Sequence, residues 1–203
     1  MPAAMSEAEV EEMCLDLLVE LGYERVYGPD ISEGGIAPER NYSEVVLVDR
    51  LRQALRRINR SVPDDAIDDA VKKVLRVESQ NLVENNQSFH RLVTEGVGVQ
   101  YKRADGSVKD DVVWLFDYAN VGNNEFLAVN QFTVKEERYN RRPDIVLFVN
   151  GLPLVVVELK NPSDEKADLT GAYQQFETYK QQIPSIFRYN EILVVSDGTY
   201  AKA

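Results

Sequence analysis

Three residues in the second half of the chain have side chains that together can hold a divalent cation and act on a phosphate ester. Asp144 follows a proline, and Glu158 and Lys160 stand two positions apart. Carboxylates are the ligands that hard cations such as Mg²⁺ prefer. A bound cation can polarise a phosphate and activate a water, while an ammonium orients that water or stabilises developing charge. The combination predicts phosphodiester hydrolysis with Mg²⁺ as cofactor, ligated by Asp144, Glu158 and the backbone carbonyl of Leu159.

The spacing of these residues indicates how the chain could bring them together. Glu158 and Lys160 share one face of a predicted strand and end the apolar run 154–157. Asn150-Gly151 predicts a tight hairpin turn that brings the strand opened by Asp144 alongside. Two carboxylates would meet at one sheet edge, where they repel each other unless a cation lies between them. A Glu-x-Lys pattern is also common at exposed strand ends, so the pattern alone does not decide the function.

The register of this hairpin decides whether the two carboxylates meet. A strict two-residue turn pairs Asp144 with Val157, which places Asp144 on the opposite face from Glu158. A one-residue bulge near Pro153 pairs Asp144 with Glu158 instead. The alternative is that Asp144 lies in a bend before its strand. We predict one of these two departures, because a plain hairpin would exclude the site.

The composition excludes several other chemistries. The chain has one histidine, His90, and one cysteine, Cys14, so a Cys/His zinc site is excluded. Cys14 lies in an apolar helical stripe and His90 is expected to be structural. No phosphate-binding loop of an ATPase is present. The single cysteine, the acidic N-terminus and the lack of a long apolar run predict a cytoplasmic protein that does not associate with membranes.

The net charge of −11 argues against strong DNA binding by this chain alone. Affinity for DNA comes largely from Lys and Arg side chains that neutralise phosphates. A local basic patch remains compatible with the acidic average. We therefore expect other domains or subunits to supply much of the binding affinity for DNA.

Apolar periodicity predicts helices first and strands afterwards. The predicted helices cover residues 6–21, 43–58, 64–75, 81–93 and 170–182, and residues 23–40 read as turn-rich. The predicted strands cover residues 97–103, 112–118, 126–134, 144–149, 152–160 and 191–196. Strands with unbroken apolar runs are covered on both faces, which predicts an α/β sandwich.

Residues 130–160, NQFTVKEERYNRRPDIVLFVNGLPLVVVELK, closely resemble the N-terminal nuclease region of the R subunit of type I restriction-modification enzymes, within the PD-(D/E)xK nuclease superfamily. The resemblance continues through NPSDEKADLTGAYQQFETYKQQIPSIFRYNEILVVSDGT and includes ENNQSFHRLVTEGV, NYSEVVLVDRLRQALRRIN and LVELGYERVYGPDI upstream. It implies a restriction-endonuclease-like three-layer sandwich with a mixed central sheet. Residues 1–95 would form a helical part packed on a nuclease core of residues 96–203.

The resemblance also implies roles for individual residues. The nuclease motif matches Asp144, Glu158 and Lys160, and the Gln-x-x-x-Tyr motif matches Gln175 and Tyr179, which would support the site or contact DNA. Without the resemblance, Gln175 and Tyr179 read as a surface glutamine and a half-buried tyrosine.

Further candidates flank this set. Arg141 and Arg142 could contact phosphate, or they could simply balance the neighbouring acidic residues. Many related nucleases add a carboxylate from an early helix, for which Glu84 is a candidate and Glu78 a weaker one. A solvated helix face is the more common explanation for a glutamate in either position.

R subunits of this family are much longer and continue into an ATP-driven translocase that assembles with modification and specificity subunits. The resemblance therefore implies cleavage of unmodified double-stranded DNA after translocation, with ATP bound by the longer subunit rather than by this chain. Two other functions stay open: a stand-alone nuclease with the same core, and a docking module with little activity. The DNA sequence recognised and the number of metal ions stay open as well.

Overall fold

The computed structural model describes residues 6–161, 169–198 and 200–203. The helices are α1 (Glu7–Glu20), α2 (Val48–Ile58), α3 (Asp64–Leu75), α4 (Leu82–Glu95), α5 (Leu169–Gln182) and α6 (Pro184–Phe187). The strands are β1 (Glu24–Tyr27), β2 (Val97–Lys102), β3 (Val108–Val113), β4 (Phe126–Asn130), β5 (Val134–Glu136), β6 (Tyr139–Arg141), β7 (Ile145–Val149), β8 (Leu152–Leu159), β9 (Ile192–Ser196) and β10 (Ala201–Lys202).

A six-stranded mixed sheet forms the centre of the fold, in the order β1-β4-β7-β8-β9-β10. The pairs β1–β4 and β8–β9 are parallel, and β4–β7, β7–β8 and β9–β10 are antiparallel. Strand β8 runs through the middle of the sheet between β7 and β9. The predicted mixed α/β sheet is therefore confirmed.

Side chains from alternate positions of β7 and β8 pack against helices on opposite faces of the sheet. Ile145, Leu147 and Val157 face α1, where they join Val10 and Leu15 in one buried cluster. The intervening positions face a larger cluster that includes α2, α3 and α5. Burial on both faces explains why β7 and β8 lack polar alternation. The predicted three-layer sandwich is confirmed.

Several helix ends follow the signals in the sequence. Ser6 and Glu9 form a reciprocal capping box at the start of α1, and the Asn81 side chain accepts bonds from the first turn of α4. Helix α3 begins at Asp64 and ends at Leu75, as predicted. Among the described helices, none is both long and apolar enough to cross a membrane.

Tertiary contacts override the pattern in other places. The helix predicted over residues 43–58 begins only at Val48, because the Leu47 amide donates to the Gly151 carbonyl and Arg40 donates to the Glu44 carbonyl. The strand predicted over residues 126–134 is interrupted at Gln131, whose φ is 57°. The hairpin strand predicted over residues 112–118 lies earlier, at Val108–Val113.

The N-terminal part also contributes a strand that the sequence did not predict. Strand β1 lies within residues 23–40, which had been read as turn-rich, and pairs in parallel with β4 at the sheet edge. Its residues are largely exposed, so no apolar alternation marks it. In contrast, β2 and β3 form a separate two-stranded sheet, although they follow residue 95. Elements on both sides of residue 95 therefore build the sandwich.

Candidate active site

The hairpin of β7 and β8 has the bulge that the site requires. Ile145 pairs with Val157 and Leu147 with Val155, but Phe148 pairs with Pro153, so one residue of β8 is extra. Extending this register places Asp144 opposite Glu158. Asp144 itself lies in a bend directly before β7. The predicted departure from a plain hairpin is confirmed, and both carboxylates lie on the face covered by α5.

The two carboxylates differ in their surroundings: a backbone amide binds Asp144, whereas Glu158 is buried without a hydrogen-bond partner. The Leu159 amide donates a 2.6 Å hydrogen bond to Oδ2 of Asp144, which ties the start of β7 to the end of β8. Glu158 is fully buried, with a relative exposure of 0%. Neither oxygen of Glu158 has a hydrogen-bond partner. A buried carboxylate in this state is costly unless a cation or a proton compensates its charge.

The electrostatics of the pair reflect this environment. Burial raises the pKa of Glu158 to about 8, and the negative charge of Asp144 adds to the rise, while Lys160 lowers it. The Tyr179 hydroxyl is near enough to lower the pKa of Glu158 but does not reach hydrogen-bond geometry. Burial also raises the pKa of Asp144, against the bond from the Leu159 amide. For both carboxyl groups, burial therefore outweighs the stabilisation of the negative charge by the Leu159 amide and by Lys160.

A chain of hydrogen bonds orients the lysine at the site. Nζ of Lys160 lies 3.8 Å from Oε2 of Glu158 and donates a 2.8 Å bond to Oε1 of Gln175. Nε2 of Gln175 in turn donates a 2.7 Å bond to the hydroxyl of Tyr179. Gln175 and Tyr179 lie one turn apart on α5, so one helix face carries both. Tyr179 is buried at 5% exposure rather than half-buried.

A polar cleft opens beside this chain of bonds. It has a volume of about 520 Å³ and lies between β6 and α5, with Arg141, Arg142, Gln175 and Tyr179 in its wall. Nε of Arg141 donates to the Gln182 side chain. Arg142 is exposed, lines the cleft and donates no hydrogen bond to the described residues.

The structure does not bring the early glutamate candidates to the pair. Glu84 is exposed and accepts a hydrogen bond from Ser79, and Glu78 borders a different cavity. The carboxylates of α1 lie nearer, since the charges of Glu7 and Glu11 contribute to the raised pKa of Asp144. The capping box of α1 marked this helix but gave no sign that its acidic face meets β7.

Among the described residues, Asp144 and Glu158 remain as the candidate pair for holding a metal ion. No third Asp, Glu, His or Cys in the described ranges joins them into a cluster of three. The unpartnered oxygens of Glu158 and the adjacent Asp144 nevertheless fit a hard divalent cation, which takes oxygen ligands and keeps several waters. Such a cation would compensate the negative charges of Asp144 and Glu158, which repel each other in this buried environment.

The fold and the site together define a restriction-endonuclease-like domain. Its features are the mixed central sheet and, at the ends of the inner strands β7 and β8, the set of Asp144, Glu158 and Lys160. Residues 4–203 match the family described as type I restriction enzyme R protein N terminus, and the chain belongs to this family.

Relatives from several organisms carry the same region. The type I restriction enzyme HindI endonuclease subunit of Haemophilus influenzae is 44% identical over 201 residues, which is 98% of this chain and 19% of the relative. The putative MjaIXP endonuclease subunit of Methanocaldococcus jannaschii is 31% identical over 200 residues, 95% of this chain and 18% of the relative. A Staphylococcus aureus subunit, SauCOLORF180P, is 28% identical over 97% of the chain. The chain thus spans about a fifth of these relatives.

Proposed function

We propose that this chain is the Mg²⁺-dependent DNA endonuclease domain of a type I restriction enzyme R subunit. The observation that carries the proposal is the buried Glu158 carboxylate, which has no hydrogen-bond partner and lies opposite Asp144 in the hairpin register. The family match and the names of the relatives as endonuclease subunits support the same activity.

The cation would be held by Asp144 and Glu158, with the backbone carbonyl of Leu159 as a third ligand. When bound, it supplies Lewis-acid chemistry that favours attack of water on a phosphodiester. Lys160 directs its ammonium toward the reacting phosphate or the attacking water, where a positive charge stabilises the anion that forms. Gln175 and Tyr179 hold that ammonium in place through their hydrogen bonds.

The substrate would be double-stranded DNA, presented to the site by a larger assembly. The cleft beside α5 offers Arg141 and Arg142 to the phosphate backbone. The acidic chain as a whole is poorly suited to hold DNA by itself, at a net charge of −11. We infer that the remaining part of the R subunit, an ATP-driven translocase, and the modification and specificity subunits supply the DNA in the cytoplasm.

Plasmid cleavage by the reconstituted complex in Mg²⁺ and ATP tests this proposal. Asp144→Ala and Lys160→Ala should abolish cutting and leave ATP hydrolysis intact. Lys180→Ala is a matched control, because Lys180 lies on α5 but pairs with Glu177 at a partly exposed position. If the Asp144 and Lys160 variants cut as well as the wild type, the constellation is structural and the chain is better interpreted as a docking module.

A further inference from the structure

A second concave site lies away from the carboxylates, between α3, α4 and the start of β2. The cavity has a volume of about 360 Å³, which is in the range of small-molecule sites. Arg76, Arg91 and Arg188 line it, and we call it the arginine cavity. Arg76 ends α3, Arg91 lies on α4 and Arg188 follows α6, so three separate elements bring these positive charges to one place.

The three arginines differ from most others in the chain because their side chains donate no hydrogen bond to any described residue. Nine of the 14 arginines donate side-chain hydrogen bonds to described residues. Five donate none within the described ranges, and three of those five are in the arginine cavity. A fourth, Arg142, lines the cleft beside the proposed nuclease site. In a chain of net charge −11, four of the five arginines without a side-chain hydrogen bond to described residues therefore line concave surfaces.

The remaining charges around the cavity do not neutralise the arginines. Lys73 also lines it, with Nζ held 2.9 Å from Asp69 and 2.7 Å from the Gly98 carbonyl oxygen. Glu78 is the one acidic residue among the lining residues described, against four basic ones. The cavity therefore has an excess of positive charge and favours an anion. Guanidinium groups match the geometry of phosphate oxygens particularly well.

The cavity also has an apolar wall, which a simple phosphate ion would not require. Phe89 and Tyr189 meet edge to face at 5.2 Å between ring centroids, and Val74, Leu92 and Val97 complete this side. Arg188 is close enough to lower the pKa of the Tyr189 hydroxyl against the rise that burial causes. A ligand with both a phosphate and a planar apolar group fits this combination.

About half the length of β8 separates the arginine cavity from Glu158. Asn190 and Glu191, which follow the cavity residues Arg188 and Tyr189, bond to the Leu154 carbonyl oxygen. Glu158 lies four residues further along β8, roughly 13 Å at about 3.3 Å per residue. The cavity therefore takes no part in the proposed metal chemistry.

We propose that the arginine cavity binds the phosphate group of a nucleotide. The nucleotide is either free in solution or part of a DNA strand, and the shared chemistry is a phosphate ester beside an apolar wall. Arg76, Arg91 and Arg188 would hold the phosphate, and this binding does not depend on the endonuclease activity.

Two binding measurements on the 203-residue chain, both in EDTA at constant ionic strength, test the proposal. Calorimetric titration with AMP probes a free nucleotide, and anisotropy of a labelled 16-base-pair duplex probes a DNA strand. Arg91→Ala and Arg188→Ala should each weaken the bound probe by about tenfold or more, because each removes a charge-assisted bond to phosphate. Arg103→Ala is the matched control, since Arg103 is also unpaired but lies at the end of the β2–β3 hairpin, and it should change binding by less than about twofold.

The two arms separate the sources of the phosphate. Loss of AMP affinity assigns the cavity to a free nucleotide, and loss of duplex affinity alone assigns it to the DNA backbone. The proposal is overturned if neither probe binds saturably, or if Arg103→Ala weakens binding as much as the cavity variants. Both measurements are made in EDTA and neither measures cleavage, so failure of the nuclease proposal would leave this result unchanged.

Discussion

The two ends of the β7–β8 hairpin bury polar side chains in opposite ways. At the turn, Asn150 is fully buried and donates from Nδ2 to the Leu115 carbonyl and to Asn124, while Oδ1 accepts from the Glu125 amide. At the other end, Glu158 is equally buried but neither of its oxygens has a partner. The same pair of strands thus contains one buried polar group that stabilises the fold, Asn150, and one that destabilises it, Glu158. Buried polar groups that lack partners are rare, and they mark sites where function requires them.

The largest effect should come from removing the charge of Glu158. Glu158→Gln should lower plasmid cleavage by the reconstituted complex about 100- to 1,000-fold, because the cation loses a charged ligand. The same variant should stabilise the metal-free chain by about 1 kcal/mol or more, since the uncompensated buried charge is gone. Cleavage assays and urea unfolding in EDTA measure the two effects. Asp110→Asn, on the exposed β2–β3 hairpin, is the control and should change neither.

At the turn end of the hairpin, a substitution of Asn150 should lower stability and leave cleavage nearly unchanged. Asn150→Ala should destabilise the chain by about 3 kcal/mol. The substitution leaves buried donors and acceptors without hydrogen-bond partners and places alanine at a φ of 53°. At a temperature where the variant is folded, cleavage should stay within about threefold of the wild type. Urea unfolding gives the first number and plasmid cleavage the second. A variant that is as stable as the wild type would contradict the role given to Asn150.

Gln175 should affect cleavage because its side chain orients Lys160. Gln175→Ala removes the acceptor of the 2.8 Å bond from Lys160 and should lower cleavage about tenfold or more, with little change in stability. Gln174→Ala is a neighbouring control, because Gln174 is exposed and lines the same cleft but does not bond to Lys160, and it should be nearly neutral. Equal loss in both variants would indicate that α5 contacts DNA generally and does not specifically orient Lys160.

A smaller effect is expected at Tyr179. Tyr179→Phe keeps the buried ring but removes the hydroxyl that accepts from Gln175, so cleavage should fall only about threefold. Single-turnover cleavage rates at saturating Mg²⁺ measure this change. A loss as large as that of Lys160→Ala would mean that the hydroxyl acts on the reacting groups directly.

The smallest effect is expected at Glu84, and a comparison with Glu11 separates the predicted early-helix candidate from the carboxylates of α1. Glu84→Gln should leave cleavage within about twofold, because this exposed carboxylate bonds only to Ser79 among the described residues. Glu11→Gln should have a larger effect, since Glu11 accepts a 2.8 Å bond from Asn130 and acts on the charge of Asp144. The same plasmid assay compares the two variants. A larger loss at Glu84 than at Glu11 would contradict the arrangement described above.

Much of the site could be predicted because it depends on local rules. Alternation along a strand put Glu158 and Lys160 on one face, and the Asn150-Gly151 turn gave the hairpin. The requirement that Asp144 meet Glu158 predicted the bulge that the register contains. Helical spacing put Gln175 and Tyr179 on one face, although only the fold links them to Lys160.

The remaining features depend on long-range packing, which a single sequence does not encode in a local pattern. Strand β1 is short and exposed and is defined by its pairing with β4. The late start of α2 depends on the distant Gly151 carbonyl. The proximity of Glu7 and Glu11 to Asp144 follows from how α1 packs on the sheet. No spacing within α1 itself could indicate that neighbour.

The most direct test of the central claim is a calorimetric Mg²⁺ titration of this chain. The wild type should bind Mg²⁺ saturably, Asp144→Asn and Glu158→Gln should abolish binding, and Glu84→Gln should bind like the wild type. This result would establish the two carboxylates as the metal site. Undiminished binding in both carboxylate variants, or no binding by the wild type, would contradict the account.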